Sequence, residues 1–330
     1  MESLIFAINA VAPIIIMVAI GYILKRIGFL NDTFARMGNK LVFRALLPSM
    51  LFLNVYKIDD IGGIGFGYIG YVLVALLVIF LISVPLVIVV TKKPERRGVL
   101  LQVAFRSNYA LIGIPLAQSL SGDEGVMIAT LLSAVTIPLL NVLAVISLSV
   151  FREGGGKPSL KKILLEIVKN PLILGVLTGL VVLGIRSIFV QTGISFRLTD
   201  VTPVYSVLNY LSGMATPMSL LVLGAQFEFS AVASMKKEII FGTLMRTVFV
   251  PIVGLGAAYL FFFPTYFHGG HFAAFIAMFA TPVAVSSVPM AQEMNSDAIL
   301  AGQLVVWTTL VSALTVFLSA FLLRLAGVFG

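Results

Sequence analysis

The chain contains no cysteine, which excludes disulfides, thiol nucleophiles and thiolate metal sites. Charge is scarce as well: 11% of its 330 residues are Asp, Glu, Lys or Arg, against about 25% in ordinary soluble domains. No basic residue precedes the first apolar run, Leu4 to Leu24; Lys25 and Arg26 follow it. A clear small-residue cleavage site is also missing, so the run reads as a retained span rather than a removed secretion signal. The stretch GGIGFG at 62–67 lacks the following Lys-Ser/Thr of a phosphate loop and is expected to be a flexible turn. His268 and His271 have no evident third ligand and fall between apolar runs, so no metal site is expected. No Ser-His-Asp set or carboxylate pair stands out. The chain is therefore not expected to be an enzyme, and no cofactor is implied.

What the chain has is apolar surface. Hydrophobic residues make up 59% of it, and the mean hydropathy is +1.09. A water-soluble core cannot hide that much, so the lipid bilayer must be the solvent. The net charge of +8 sits in short clusters between apolar runs, as membrane loops do, and implies no nucleic-acid partner. The methionines and the abundant Phe are expected to face lipid or fill packing gaps.

A membrane-crossing helix needs about 20 mostly apolar residues. Ten runs qualify: 4–24, 34–56, 66–90, 98–120, 124–150, 163–189, 203–226, 238–263, 272–294 and 298–325. The second is the weakest, because Arg36, Lys40 and Arg44 recur every four residues and share one face, which cannot meet lipid at depth. Loops after odd-numbered spans carry 12 Lys and Arg, and the opposite side carries 4. Basic loops stay in the cytoplasm, which places both termini outside a cell membrane, plasma or inner.

The chain also echoes itself. IPLAQSLSGDEG at 114–125 resembles VPMAQEMNSDAI at 288–299: at an offset of 174, Pro115 matches Pro289, Ala117 Ala291, Gln118 Gln292 and Asp123 Asp297. LLPSMLFL at 46–53 echoes ATPMSLLV at 215–222, with Pro48 matching Pro217. The expected fold is an all-α membrane protein of two five-helix repeats, 1–150 and 163–330, joined by a short cytoplasmic connector at 151–162. Five is odd, so the second repeat enters the membrane inverted, an arrangement that builds secondary transporters.

Spans four and nine should both be broken near mid-membrane. Span four meets Arg106-Ser107-Asn108 and then Gly113 and Pro115; span nine meets Thr281-Pro282, then Ser286-Ser287 and Pro289. Freed backbone must line a cavity or pack on protein. The second half of each helix would start near the midplane with its N–H groups and positive dipole end facing the gap. Two such ends make an anion site, to which Arg106 adds a charge and Asn108 a donor and an acceptor. The expected substrate-binding residues are therefore Arg106, Ser107, Asn108, Pro115, Thr281, Pro282, Ser286, Ser287 and Pro289.

AFRSNYALIGIPLAQ at 104–118, NAVAPIIIMVAIGYILKRIGFLND at 9–32 and LLPSMLFLNV at 46–55 resemble the auxin efflux carrier family over nearly the whole chain. The resemblance implies the bile-acid/sodium symporter-like fold, with helices four and nine crossing. It further implies a scaffold of helices one, two, six and seven, a transport domain of the others, a homodimer and elevator-type alternating access. In the plant carriers an asparagine and prolines at the crossing face the carboxylate substrate; Asn108, Pro115, Pro282 and Pro289 hold the matching motif positions. The plant carriers commonly have a long hydrophilic central loop, whereas this chain has about a dozen residues there. That resembles the short microbial branch, for which dicarboxylates such as malate are often inferred, and it argues against auxin as the physiological substrate.

The expected function is carriage of small organic anions, with export favoured by an interior-negative potential. The alternatives are a sodium- or proton-coupled carrier of the same fold and a membrane ligand sensor. Glu166, Glu228, Glu238 and Glu293 fall near span ends, which disfavours carboxylate-based coupling and leaves Gln118 and Gln292 as candidate ion-coupling residues.

Overall fold

The computed structural model describes residues 2–58, 66–152 and 160–329. The centre of the connector at 151–162 and most of GGIGFG lie outside the described residues. The helices are, in chain order, α1 (Glu2–Arg26), α2 (Asp32–Leu41), α3 (Leu47–Tyr56), α4 (Phe66–Val90), α5 (Pro94–Phe105), α6 (Ile114–Val150), α7 (Leu160–Lys169), α8 (Pro171–Gln191), α9 (Thr202–Gln226), α10 (Phe229–Ser234), α11 (Lys236–Leu244), α12 (Val250–Phe262), α13 (Gly269–Phe279), α14 (Ser287–Glu293) and α15 (Ala298–Leu325). No strand of more than one bridge occurs among the described residues. The fold is all-α. Six helical stretches among the described residues are long and apolar enough to cross a membrane: Phe66–Val90, Tyr109–Val150, Pro171–Gln191, Thr202–Gln226, Lys236–Phe262 and Ala298–Leu325.

Proline explains most of the segmentation. Three π turns, Val42–Leu46, Tyr109–Gly113 and Met245–Phe249, each lead directly into a helix whose second residue is Pro48, Pro115 or Pro251. Proline cannot donate to the carbonyl four residues back and its ring crowds that carbonyl; one extra residue in the preceding turn relieves both problems. The run 163–189, expected as one span, is instead two helices. Asn170 is extended ahead of Pro171, and its side chain caps Leu172 N–H at 2.9 Å.

Helix α6 runs for 37 residues, about 55 Å if straight, too long for one crossing of a hydrocarbon core about 30 Å thick. It reverses at Ser121–Gly122. Gly122 has φ +57° and ψ −142°, a backbone open to glycine, and a Cβ at Gly125 would lie 2.3 Å from the Ala117 carbonyl oxygen. The reversal falls between the expected spans 98–120 and 124–150.

The helices pack as two sets. In one, α9 lies against α1, α2 and α3, and α3 lies against α8. Here α1 and α9 approach closely: a Cβ at Gly224 would sit 2.0 Å from the Val18 oxygen, the small-residue contact by which membrane helices associate. In the other set α5 and α13 pack on α6, α4 packs on α5 and α12, and α15 packs on α11 and α14; the two sets meet chiefly where α15 also packs on α1. Every residue of Phe272–Phe279 and of Gly98–Phe105 is buried, so both stretches are wrapped by protein on all sides. That accounts for their lack of an apolar stripe.

Candidate functional site

Two helices of the second set stop in the middle of the molecule and are joined there by main chain. Helix α5 ends at Phe105 and α13 at Phe279. The breaks that follow run antiparallel, Ser107 bridging Val283. Asn108 N–H donates to the Pro282 oxygen at 2.8 Å and Ala284 N–H to the Arg106 oxygen at 3.0 Å. The two interruptions thus satisfy each other as a two-rung ladder, which buried backbone requires. Both begin upstream of Pro115 and Pro289, in the polar residues themselves; the prolines lie in the first turns of α6 and α14.

Two adjoining cavities open at this ladder. The smaller, about 70 Å³, is lined by Arg106, Ser107, Asn108, Asn141 and Ser286, with Leu and Met of α3 opposite. The larger, about 280 Å³, is lined by Asn108, Ser286, Thr130, Ser133 and Thr216, and by Asn54 and Lys57 at the α3 end. No Asp or Glu lines either one. The buried Arg106 guanidinium meets only neutral groups: the Gln102 oxygen at 2.8 Å, the Asn141 oxygen at 3.0 Å, the Ser286 hydroxyl at 3.1 Å and the Met290 sulfur at 2.7 Å. The Asn108 side-chain NH2 is buried without a hydrogen-bond partner, as is the Ser287 hydroxyl. A cation without a carboxylate beside an unpaired amide donor is an arrangement that accepts an anion.

The structure therefore brings Arg106, Ser107, Asn108 and Ser286 onto common cavity walls. Thr281, Pro282, Ser287 and Pro289 are buried behind them as frame. Thr281 donates its hydroxyl to Ala277 at 2.7 Å, and Pro282 supplies a ladder carbonyl. Pro115 faces a neighbouring cleft of about 690 Å³ between α1 and α9, which shares Met50, Leu111 and Thr216 with the larger cavity. Gln118 is exposed. Gln292 accepts from Asn39 and, at 3.1 Å, from Gln226, away from the ladder. The expected free N–H groups at the start of α14 are largely occupied. Ser287 and Val288 donate to Ala284 and Val285 at 3.0 and 3.2 Å, and Pro289 has no N–H. The helical stretch starting at Tyr109 does keep its leading N–H groups without acceptors inside it.

One residue at the site was not singled out in the sequence. Arg246, fully buried in the turn Met245–Phe249, donates to the oxygens of Thr281 at 2.7 Å, Met278 at 2.8 Å and Ala104 at 3.4 Å. It caps the carbonyl ends of both α5 and α13, where the dipoles are negative. The signal was a lone arginine in the apolar GTLMRTVFV of 242–250, as deep in the run 238–263 as Arg106 is in 98–120, but without the Ser107-Asn108 pair that marks Arg106.

An all-helical membrane protein built round a polar break is the class that this fold and site define. The model of the membrane transport protein family matches residues 6–154 and 157–319, and the chain belongs to that family, which is auxin efflux carrier-like. It is 25% identical over 320 residues to an uncharacterised transporter of Methanothermobacter thermautotrophicus, covering 92% of this chain and 94% of the relative. It is 27% identical over 264 residues to an uncharacterised transporter of Methanocaldococcus jannaschii, covering 76% and 77%. Family and relatives point to a multi-pass membrane transporter rather than an enzyme.

Proposed function

We propose that the chain is a secondary transporter of small organic anions, mono- or dicarboxylates, that binds its substrate at the ladder. The observation that carries this reading is the unpaired Asn108 amide beside Arg106, whose partners are all neutral. In this reading the ten runs are ten membrane-crossing segments in two inverted repeats. The antiparallel bridge between the breaks supports opposite entry of the two halves. Helices α1, α2, α3, α8 and α9 form the static scaffold, and the set holding the ladder moves past it as an elevator. The packing of α9 on α1, α2 and α3, and of α3 on α8, supports this division, with the α1–α15 contact as the main surface between the two sets; a homodimer through the scaffold follows from the family resemblance. With both termini outside, the larger cavity opens at Lys57 to the exterior, and an interior-negative potential drives anions outward by about 2.3 kcal/mol per charge per 100 mV. The absence of acidic lining residues favours this over cation coupling at the same cavity.

The test is uptake of labelled acetate, succinate, malate and benzoate by purified protein in liposomes, under imposed potential, sodium and pH gradients. Uptake driven by potential alone is the expected result. A rate that vanishes without sodium or a proton gradient favours the coupled carrier, and saturable binding without flux favours a sensor.

A further inference from the structure

The basic face of α2 has no role in the ladder, yet it is built with care. Arg36, Lys40 and Arg44 are all exposed, as are Met37 and Leu41, while Gly38, Asn39, Val42 and Phe43 between them are buried. At one-turn spacing the three charges form a stair about 6 Å per step. Its outer step, Arg36, lines a cleft of about 620 Å³ with Lys25, Arg26, Asp32 and Glu228, bounded by the ends of α1 and α9 and the start of α15. Its inner step, Arg44, reaches Glu293 of α14 at 3.3 Å, and α14 starts beside Ser286 of the ladder. Next to that pair, Asn39 donates to both Gln226, at 2.7 Å, and Gln292, while Gln226 donates to Gln292. Five basic side chains thus face three acidic ones along this wall. Asp32 is held by Lys25 and Glu293 by Arg44, which leaves Arg26, Arg36 and Lys40 against Glu228 and a net positive wall. In the ten-span reading this face belongs to a membrane-crossing segment, where exposed charges need water or protein rather than lipid around them.

We infer that this face is an access path for small anions between the basic end of the molecule and the ladder, and that the Asn39–Gln226–Gln292 cluster with the Arg44–Glu293 pair closes its inner end. A cleft with an excess of one sign of charge between apolar walls concentrates counter-ions. The path takes its passenger from the anion-carrier reading, but its sign can be measured without any substrate.

The cysteine-free chain makes the experiment direct. Ile299, on the cleft wall, is replaced by Cys in the full-length protein in nanodiscs. Its modification rates by an anionic sulfonatoethyl and a cationic trimethylammonioethyl methanethiosulfonate are each normalised to 2-mercaptoethanol. The normalised ratio is expected to favour the anionic reagent by about tenfold or more at low salt and to shrink as salt rises. Adding Arg36→Gln, Lys40→Gln and Arg44→Gln should return it to about one; Arg36→Gln alone, should the triple variant misfold, should lower it partway. A ratio near or below one in the parent, a ratio indifferent to these substitutions, or a thiol silent to both reagents would overturn the path. A strong ratio in a protein that moves none of the carboxylates keeps the path and rejects its passenger.

Discussion

At the scale of single residues, Asn108 does two separable jobs. Its N–H holds the ladder, which any residue but proline can do; its amide NH2, at the cavity wall, is buried and unpaired. Asn108→Ala should therefore fold and insert normally while losing one charge-assisted hydrogen bond to substrate, about 1.5–3 kcal/mol, or roughly ten- to a hundredfold in affinity. Substrate-dependent thermal stabilisation and liposome uptake read this out, and wild-type affinity would remove Asn108 from the site. Arg246 is the converse case, a residue whose work is on the frame. Arg246→Met strands three buried carbonyls, so the solubilised protein should lose about 3 kcal/mol or more, seen as a lower melting temperature. Arg246→Lys should recover part of it, since an ammonium supplies donors without the fork. A melting temperature unchanged in Arg246→Met would show that the cap carries no weight. The polar triplet 106–108 was legible in the sequence because it is anomalous in an apolar run. Arg246 was not, because what marks it is three carbonyls more than 30 residues away.

At the scale of elements, the sequence marks each break twice, by polar residues and by a later proline. Of the two features that mark the break in span four, the triplet Arg106–Asn108 is where helical bonding stops, and Gly113 and Pro115 lie beyond it. The proline instead sets the π turn before it. Pro115→Ala restores a donor for the carbonyl of Leu111, so the turn should relax to α and rotate Tyr109 and the residues around it by about 100°. Uptake should fall while surface expression holds; an unaltered rate would make the π turn incidental. The α1–α9 contact allows a harsher test. Gly224→Leu places carbon within 2.0 Å of the Val18 oxygen, so the two helices must part and the melting temperature must drop. Such contacts were invisible in sequence, since a glycine in an apolar run looks the same whether it packs, turns or faces lipid.

At the scale of the whole molecule, the all-helical membrane class followed from hydropathy alone, while the grouping of helices into two sets did not. Grouping depends on which faces meet, and nearly every face here is apolar. Orientation is open to one measurement: with both ends outside, a cysteine at Thr192 should react with an impermeant maleimide in intact cells, and one at Lys92 only after permeabilisation. The reverse pattern would invert the molecule. The two-rung ladder has a further consequence, thermodynamic rather than geometric. Its donors and acceptors are already paired with each other, so the cavity walls keep their shape when nothing is bound. The ordering of two unwound segments is met once, when the protein folds, and not again at each turnover. Binding then need fix only the ligand, a preorganisation that lets a small carboxylate with few contacts still be held at useful strength.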